Sequence, residues 1–223
     1  MSDFDFIIVD FDGTLIKGNS FHYWIFFLII FSWEWTGVRL YFRKMLFLLG
    51  IIVKRYRGDI THHVFKRRIQ NSFHLDENLN INSRFSKRFC KFLKSKMRSK
   101  LYKYIVQERK KGARIILATA APDDYIIPFA NLCDCFDYVL ATPLASKPFW
   151  QDNIRDIKYD NVVGLMDKIF EAAYTFEMHS DHEDDILLLE KATRAVLYPP
   201  ILDHISSDKI FKLNAIHYDE GLS

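Results

Sequence analysis

Two carboxylates stand one residue apart in IIVDFDGTL, residues 7–15. They are Asp10 and Asp12, placed where a short apolar run ends. Burying a carboxylate is costly and two of them repel, so the pair requires a positive partner. Other apolar runs also close on oxygen-bearing side chains. Thr119 ends ARIILAT, and Ser180 with Asp181 ends TFEMHSD, followed by Asp184 and Asp185. Brought together, these acids suit a hard divalent cation with oxygen ligands; Mg²⁺ commonly takes one or two carboxylates, waters and a substrate phosphate. Lys168, on the helix entering the fourth strand, is the candidate for a second positive group. Each residue alone has a plainer reading, as a turn former, a helix cap or a solvated lysine. Their order and placement at successive strand ends are what point to a site.

The elements that must position them follow from periodicity. Residues 6–10 read as a buried strand ended by the turn DGT. From about residue 20 to about 110 the chain reads as helical throughout, with ITHHVFKRRIQNSF and RFSKRFCKFLKSKM carrying apolar residues at three-to-four spacing. DENLNINS, residues 76–83, reads as a loop, and Gly112 as a helix C-cap. Beyond it ARIILAT, FDYVLATPL, TFEMHSD and RAVLY read as strands. They alternate with the helices APDDYIIPFANL, NVVGLMDKIFEAAY and EDDILLLEKA. Such alternation predicts parallel strands with right-handed crossovers. The expected fold is α/β, a Rossmann-like doubly wound parallel sheet, with a helical cap inserted after the first strand. In such sheets ligands bind beyond the carboxyl ends of the strands.

The 223 residues allow one good core with an accessory domain, and 49% hydrophobic with 26% charged residues excludes a disordered chain. The net charge of +3 conceals an asymmetry. Residues 39–111 hold 21 Lys+Arg against 4 Asp+Glu, or +17; the remainder holds 10 against 24, or −14. Cys90, Cys133 and Cys135 are too few and odd in number for a disulfide framework, which suggests a reducing compartment; with no basic leader in MSDFDF the expectation is a cytoplasmic protein. The apolar runs of residues 21–33 and 45–53 are 13 and 9 residues long, short of the roughly 20 needed to span a bilayer. They read as a buried helical hairpin first. The alternative is a membrane-associated protein making peripheral contact through residues 21–53, with Lys54, Arg55 and Arg57 facing anionic lipid.

The strand-end residues carry a family resemblance. The chain resembles the haloacid dehalogenase superfamily, in its phosphoserine-phosphatase-like branch, with some likeness to phosphatidylglycerophosphatases. DFDGT matches the first motif, IILATAAP the second, NVVGLMDK the third and HSDHEDD the fourth, over about residues 1–20 and 100–200. The resemblance implies a catalytic core of residues 1–18 and 98–223 and a cap of residues 19–97. It implies that Asp10 attacks phosphorus to form an aspartyl-phosphate and that Asp12 protonates the leaving oxygen and then activates water. It implies Mg²⁺ held by Asp10, Asp12 and Asp181, with Asp185 as a further ligand or as support behind them, and phosphoryl oxygens bound by Thr119, Ala120 and Lys168. An acid two residues after the nucleophile separates phosphatases and phosphotransferases of this family from its dehalogenases. The sequence departs from its relatives in YPP after the fifth strand and in ASKPFWQDNIRDIKYD, which replaces a Gly-rich hairpin.

The resemblance also makes the insert a substrate-choosing cap. A basic cap over an acidic core attracts polyanions, so the expected partner is a phosphorylated small molecule or headgroup with extra negative charge. Amino-alcohol, sugar, nucleotide-sugar and glycan-precursor phosphates fit, with a lipid phosphate as the alternative. Lys17, Asn19, Ser20 and His22 are the cap-side candidates for contact with it. Nucleic-acid binding is disfavoured, because the basic residues sit on amphipathic helices whose charged faces are solvated by default. A non-catalytic membrane- or nucleic-acid-binding protein on the same frame is the reading of a different class. His62, His63, His179 and His182 lack the companions of a zinc site, though His179 and His182 lie near enough to the fourth motif to touch substrate.

Overall fold

The first strand explains the rest of the sheet. β1 (Phe6–Val9) is fully buried along its length, as a strand must be when both neighbours are parallel and both faces are covered. The computed structural model describes residues 2–31, 38–73, 84–143, 150–199 and 215–217. Four helices follow β1: α1 (Ser20–Phe31), α2 (Val38–Tyr56), α3 (His62–Phe73) and α4 (Arg84–Ser95). The expected loop at residues 76–83 lies outside the described residues. α5 (Ser99–Lys110) then leads into β2 (Arg114–Pro122), α6 (Asp123–Cys133), β3 (Tyr138–Thr142), α7 (Arg155–Ile169), β4 (Phe176–Ser180), a 3₁₀ turn at Glu183–Asp185, α8 (Ile186–Lys191), β5 (Arg194–Leu197) and β6 (Ala215–His217).

Among the described residues the sheet has six strands in the order β3-β2-β1-β4-β5-β6, every pair parallel. The chain works outward from β1 to β3, then returns to the other side of β1 with β4. Strand order therefore reverses between β1 and β4, and a crevice opens at that point beyond the carboxyl ends. β6 extends the expected five strands by a sixth; its three residues are too few to show any alternation. α7 begins at Arg155 and ends at Ile169, where sequence periodicity placed a helix over residues 161–174. Six of the sixteen residues read as a hairpin replacement, 155–160, thus belong to the start of α7.

Side-chain alternation divides the core into two layers. Phe6, Ile8, Ile116 and Met178 point to one face and pack under Val162 and Met166 of α7 and Leu188 and Leu189 of α8. Ile7, Val9, Ile115 and Leu117 point to the other, against α5, α6 and the inserted helices. Trp24, Phe27, Leu48, Phe65 and Phe89 of the insert belong to that same layer. Phe89 meets Tyr125 of α6 edge-on, with ring centroids 5.3 Å apart. Burying such side chains stabilises the fold by about 1.5–3 kcal/mol each. The hairpin of α1 and α2 buries only one side: Trp24, Leu28, Leu48 and Ile51 turn in, while Phe26, Phe42, Leu46 and Leu49 turn out.

Candidate active site

β1 delivers Asp10 to the crevice. The main-chain N–H of Asp10 still donates to His179 O at 3.0 Å, so the β1–β4 ladder holds to the last residue. The chain then doubles back, with Leu15 N donating to Asp10 O and Ile16 N to Phe11 O. Gly13 makes this turn possible. Its φ is +70°, and a Cβ there would lie 1.8 Å from Asp181 Oδ2. Thr14 Oγ1 donates to the same carboxylate at 3.1 Å. Asp12 accepts the Ser20 N–H at 2.6 Å, at the first residue of α1, where the helix presents unpaired N–H groups. Burial pushes the Asp12 carboxyl up to about 6, with the Ser20 hydrogen bonds opposing. A group of that kind holds or releases a proton near neutrality.

The positive partner of Asp10 is Lys158, in the first turn of α7. Its ammonium lies 2.7 Å from Asp10 Oδ1 and 2.8 Å from Asp185. Ser180 Oγ completes the cluster by donating to Asp185 Oδ2 at 2.6 Å. Burial works against the Lys158 charge, yet Asp10 and Asp185 together raise it above the usual lysine range. Burial also pushes the Asp10 carboxyl up; Lys158 opposes this, and Asp185 and Asp181 add to it. Asp181 is raised as well, chiefly by burial. One lysine therefore does not relieve all the repulsion among these acids.

The sequence expectations can now be placed. Asp10, Asp12, Thr119, Ala120, Asp181 and Asp185 all line one cavity of 780 Å³, with Lys17 and Asn19. Lys168 does not. It is exposed in the last turn of α7, ten residues or about 15 Å of helix beyond Lys158. The misplaced start of α7 is the cause; Lys158 shares a face with Val162 and Met166, and that phase was the available signal. Asp185 lies against Lys158 through both oxygens and accepts from Ser180, so in this arrangement it props Lys158. Ser20 is buried, its hydroxyl paired with Tyr125 OH at 2.9 Å. His22 is exposed outside the cavity lining, its N–H capped by Asn19. His179 also points away, into a buried network with Glu177 and Tyr198 OH, while His182 does line the cavity.

Several lining residues carried no motif. Lys66 of α3 reaches across the crevice to Ala120 O, to Asp152 Oδ1 at 2.5 Å and to Thr142 Oγ1 at 3.3 Å. Burial lowers its pKa, with Asp152 opposing. His63 bonds the second oxygen of Asp152, and His62 and Arg98 also line the cavity. Arg98 donates to Gly13 O at 2.9 Å. Asn153 braces the far wall by donating to Thr119 O and Leu140 O.

Among the described residues no three acidic, histidine or cysteine side chains form a closed metal cage. The acids of the floor suit a different ion. Asp10 and Asp181 each have one oxygen tied, by Lys158 and Thr14 respectively. Both are raised chiefly by burial and further by neighbouring carboxylates, and they fit a hard cation that keeps most of its waters, as Mg²⁺ does.

The family model of haloacid dehalogenase-like hydrolases matches residues 7–190. No curated protein matches the chain in sequence. Among solved structures, a protein of unknown function from Bordetella pertussis Tohama I superposes with a TM-score of 0.70 at 17% identity, covering 95% of this chain and 97% of its own. A phosphoserine phosphohydrolase-like protein from Francisella tularensis subsp. tularensis SCHU S4 gives 0.51 at 20% identity, covering 96% and 94%. A phosphoserine phosphatase solved as a phospho-aspartyl intermediate analogue gives 0.54 at 14% identity, covering 95% and 91%. With its motifs on consecutive strand ends and this architecture, the chain belongs to the haloacid dehalogenase-like hydrolases and has the phosphoserine-phosphatase-like fold.

Proposed function

We propose that this protein hydrolyses a phosphomonoester through Asp10, with Mg²⁺ as cofactor. The observation that carries this reading is the arrangement at the end of β1. A buried carboxylate is tied by Lys158, and a second acid titrating near 6 stands two residues away. The Asp10 carboxylate attacks phosphorus as the ester P–O bond breaks, and Asp12 gives its proton to the departing oxygen. Asp12 then takes a proton from water, which attacks the aspartyl-phosphate and returns Asp10 with release of phosphate. Thr119 and Lys158 hold phosphoryl oxygens during both displacements. The Asp10 and Asp181 carboxylates and the Asp12 main-chain carbonyl would hold Mg²⁺, which supplies positive charge to the equatorial oxygens.

The substrate reading follows from the other wall. Lys17, His62, Lys66 and Arg98 line the same cavity as Asp10, and its 780 Å³ suits a molecule of drug size. This supports a small or headgroup-type phosphate bearing a further negative group. Three free, buried cysteines support a reducing, cytoplasmic compartment.

The test is phosphate release by purified protein with Mg²⁺ over amino-alcohol, sugar, nucleotide-sugar and lipid phosphates, beside Asp10→Asn. Release that requires both metal and Asp10 supports the mechanism, and the best ester names the substrate class. Release that persists in Asp10→Asn, or none from any ester, overturns it.

A further inference from the structure

The large apolar side chains that this fold leaves in water are not scattered. Of the twelve exposed large hydrophobics among the described residues, nine sit on α1 and α2. Phe26, Ile29 and Ile30 lie on α1; Phe42, Leu46, Phe47, Leu49, Val53 and Tyr56 lie on α2. Leu46 is 71% and Tyr56 94% exposed. On α2 the residues 42, 46, 49, 53 and 56 recur at alternating spacings of four and three, so they form one stripe along the helix. Leu48 and Ile51, on the opposite side, fill the core, so this stripe is not the face that holds the helix in place. Tyr41 OH donates to Ile29 O at 2.8 Å, which pins the start of α2 to the end of α1 and joins the two exposed sets.

A basic edge runs beside the stripe. Arg39, Arg43 and Lys54 share a helical face adjoining it, Arg57 continues that edge just beyond the helix, and all four are exposed. Neither α1 nor α2 contains an acidic residue. Patches of this kind on monomers mark interaction surfaces. A second copy of the chain is a poor occupant, because an isologous contact would press the basic edge of one copy toward that of the other. An anionic lipid surface satisfies both halves, taking the apolar stripe among its acyl chains and the guanidinium groups among its phosphates. No described helix is long and apolar enough to cross a membrane, and the 19 residues of α2, about 28 Å, match a helix lying along the surface.

We propose that the exposed face of the α1–α2 hairpin docks this protein on an anionic bilayer, in the plane of the interface. This reading is independent of the chemistry at Asp10. The next helix, α3, carries Lys66 into the cavity.

The test is co-sedimentation of the full chain with vesicles of phosphatidylglycerol and phosphatidylcholine in equal parts, beside vesicles of phosphatidylcholine alone. Binding should require the anionic lipid and weaken steeply on raising salt above about 0.1 M. Phe42→Ser/Leu46→Ser/Leu49→Ser should bind at least about tenfold more weakly. Arg39→Gln/Arg43→Gln/Arg57→Gln should lose about fivefold per residue. Both variants change exposed positions, so their melting temperatures and release of phosphate from a soluble ester should match those of the parent. Failure of the parent to sediment with anionic vesicles overturns the proposal, as does undiminished binding by either folded variant. Light scattering that shows a dimer in the parent and a monomer in the serine variant assigns the face to a second copy and also overturns it.

Discussion

Two lysines enter the same cavity from opposite walls, and both are almost fully buried. Lys158 comes from the catalytic core, Lys66 from the inserted helices. Lys158 lies between the two carboxylates of Asp10 and Asp185, and its charge is held beyond the ordinary range. Lys66 bonds one carboxylate, which His63 shares, and is drawn by Asp12 without a hydrogen bond to it; its other partners are a carbonyl and a hydroxyl. Burial wins there, and its pKa falls. A cation compensated twice over is a fixed part of the floor. A cation compensated once keeps a demand for negative charge, and an incoming anionic ligand can meet it. On the proposed mechanism the two walls divide the work: one fixes the carboxylate that reacts and the other is tuned to what arrives.

That contrast can be broken in graded steps. The largest effect belongs to the acid that Lys158 holds. Asp10→Asn should lower phosphate release more than about 10³-fold. A chelator should abolish release by the parent, with recovery on adding Mg²⁺, both read by phosphate assay. Lys158→Met should follow, with kcat down about 10²–10³-fold. It should also lose about 3–5 kcal/mol of stability in denaturant titration, because two acids stay buried without their cation. Lys66→Met should raise KM for an anionic ester about tenfold while kcat changes less than about threefold. If Lys66→Met instead matches Lys158→Met in kcat, the division between walls is wrong.

The smallest effect is a difference in pH dependence. The folded pKa of Lys158 lies above 10.5, so its stabilisation is complete below that value and lost only at more alkaline pH. Lys158 itself therefore adds no pH dependence between about pH 6 and about pH 9. The melting deficit of Lys158→Met should grow with pH there, because Asp10, pushed up by burial, loses the cation that opposes the shift. The folded pKa of Lys66 lies below 10.5, so the parent gains stability as pH rises through that folded value toward 10.5. The deficit of Lys66→Met should accordingly widen as pH approaches 10.5. A flat difference for both variants would erase the distinction.

The floor was far more legible in sequence than the roof. A buried strand announces its own end, so Asp10, Thr119 and Asp181 could be placed on one sheet edge by counting apolar residues. Lys158 was missed because NIRDIKYD looks polar and its helix begins there unannounced; only the shared phase with Val162 and Met166 marks it. Lys66 was harder. It heads the run Lys66, Arg67, Arg68, and a charge count gives all three equal weight. Position decides: Phe65, Lys66, Ile69 and Gln70 are buried while Arg67 and Arg68 are exposed. The network of Glu177, His179 and Arg194 behind β4 was invisible for a related reason. Glu177 and His179 share β4, but Arg194 comes from β5, and no spacing within one segment reveals a partner in another.

Gly13 sets a tolerance for the whole design. The gap between its backbone and the Asp181 carboxylate is narrower than one methyl group. Every other side chain the genetic code offers would push β1's loop and β4's acid apart, and the widening would be felt at Asp10, Asp12 and Thr14 together. The residue with no side chain therefore acts as the shim against which three chemical groups are aligned, and a library randomised at that codon should return glycine alone among active clones.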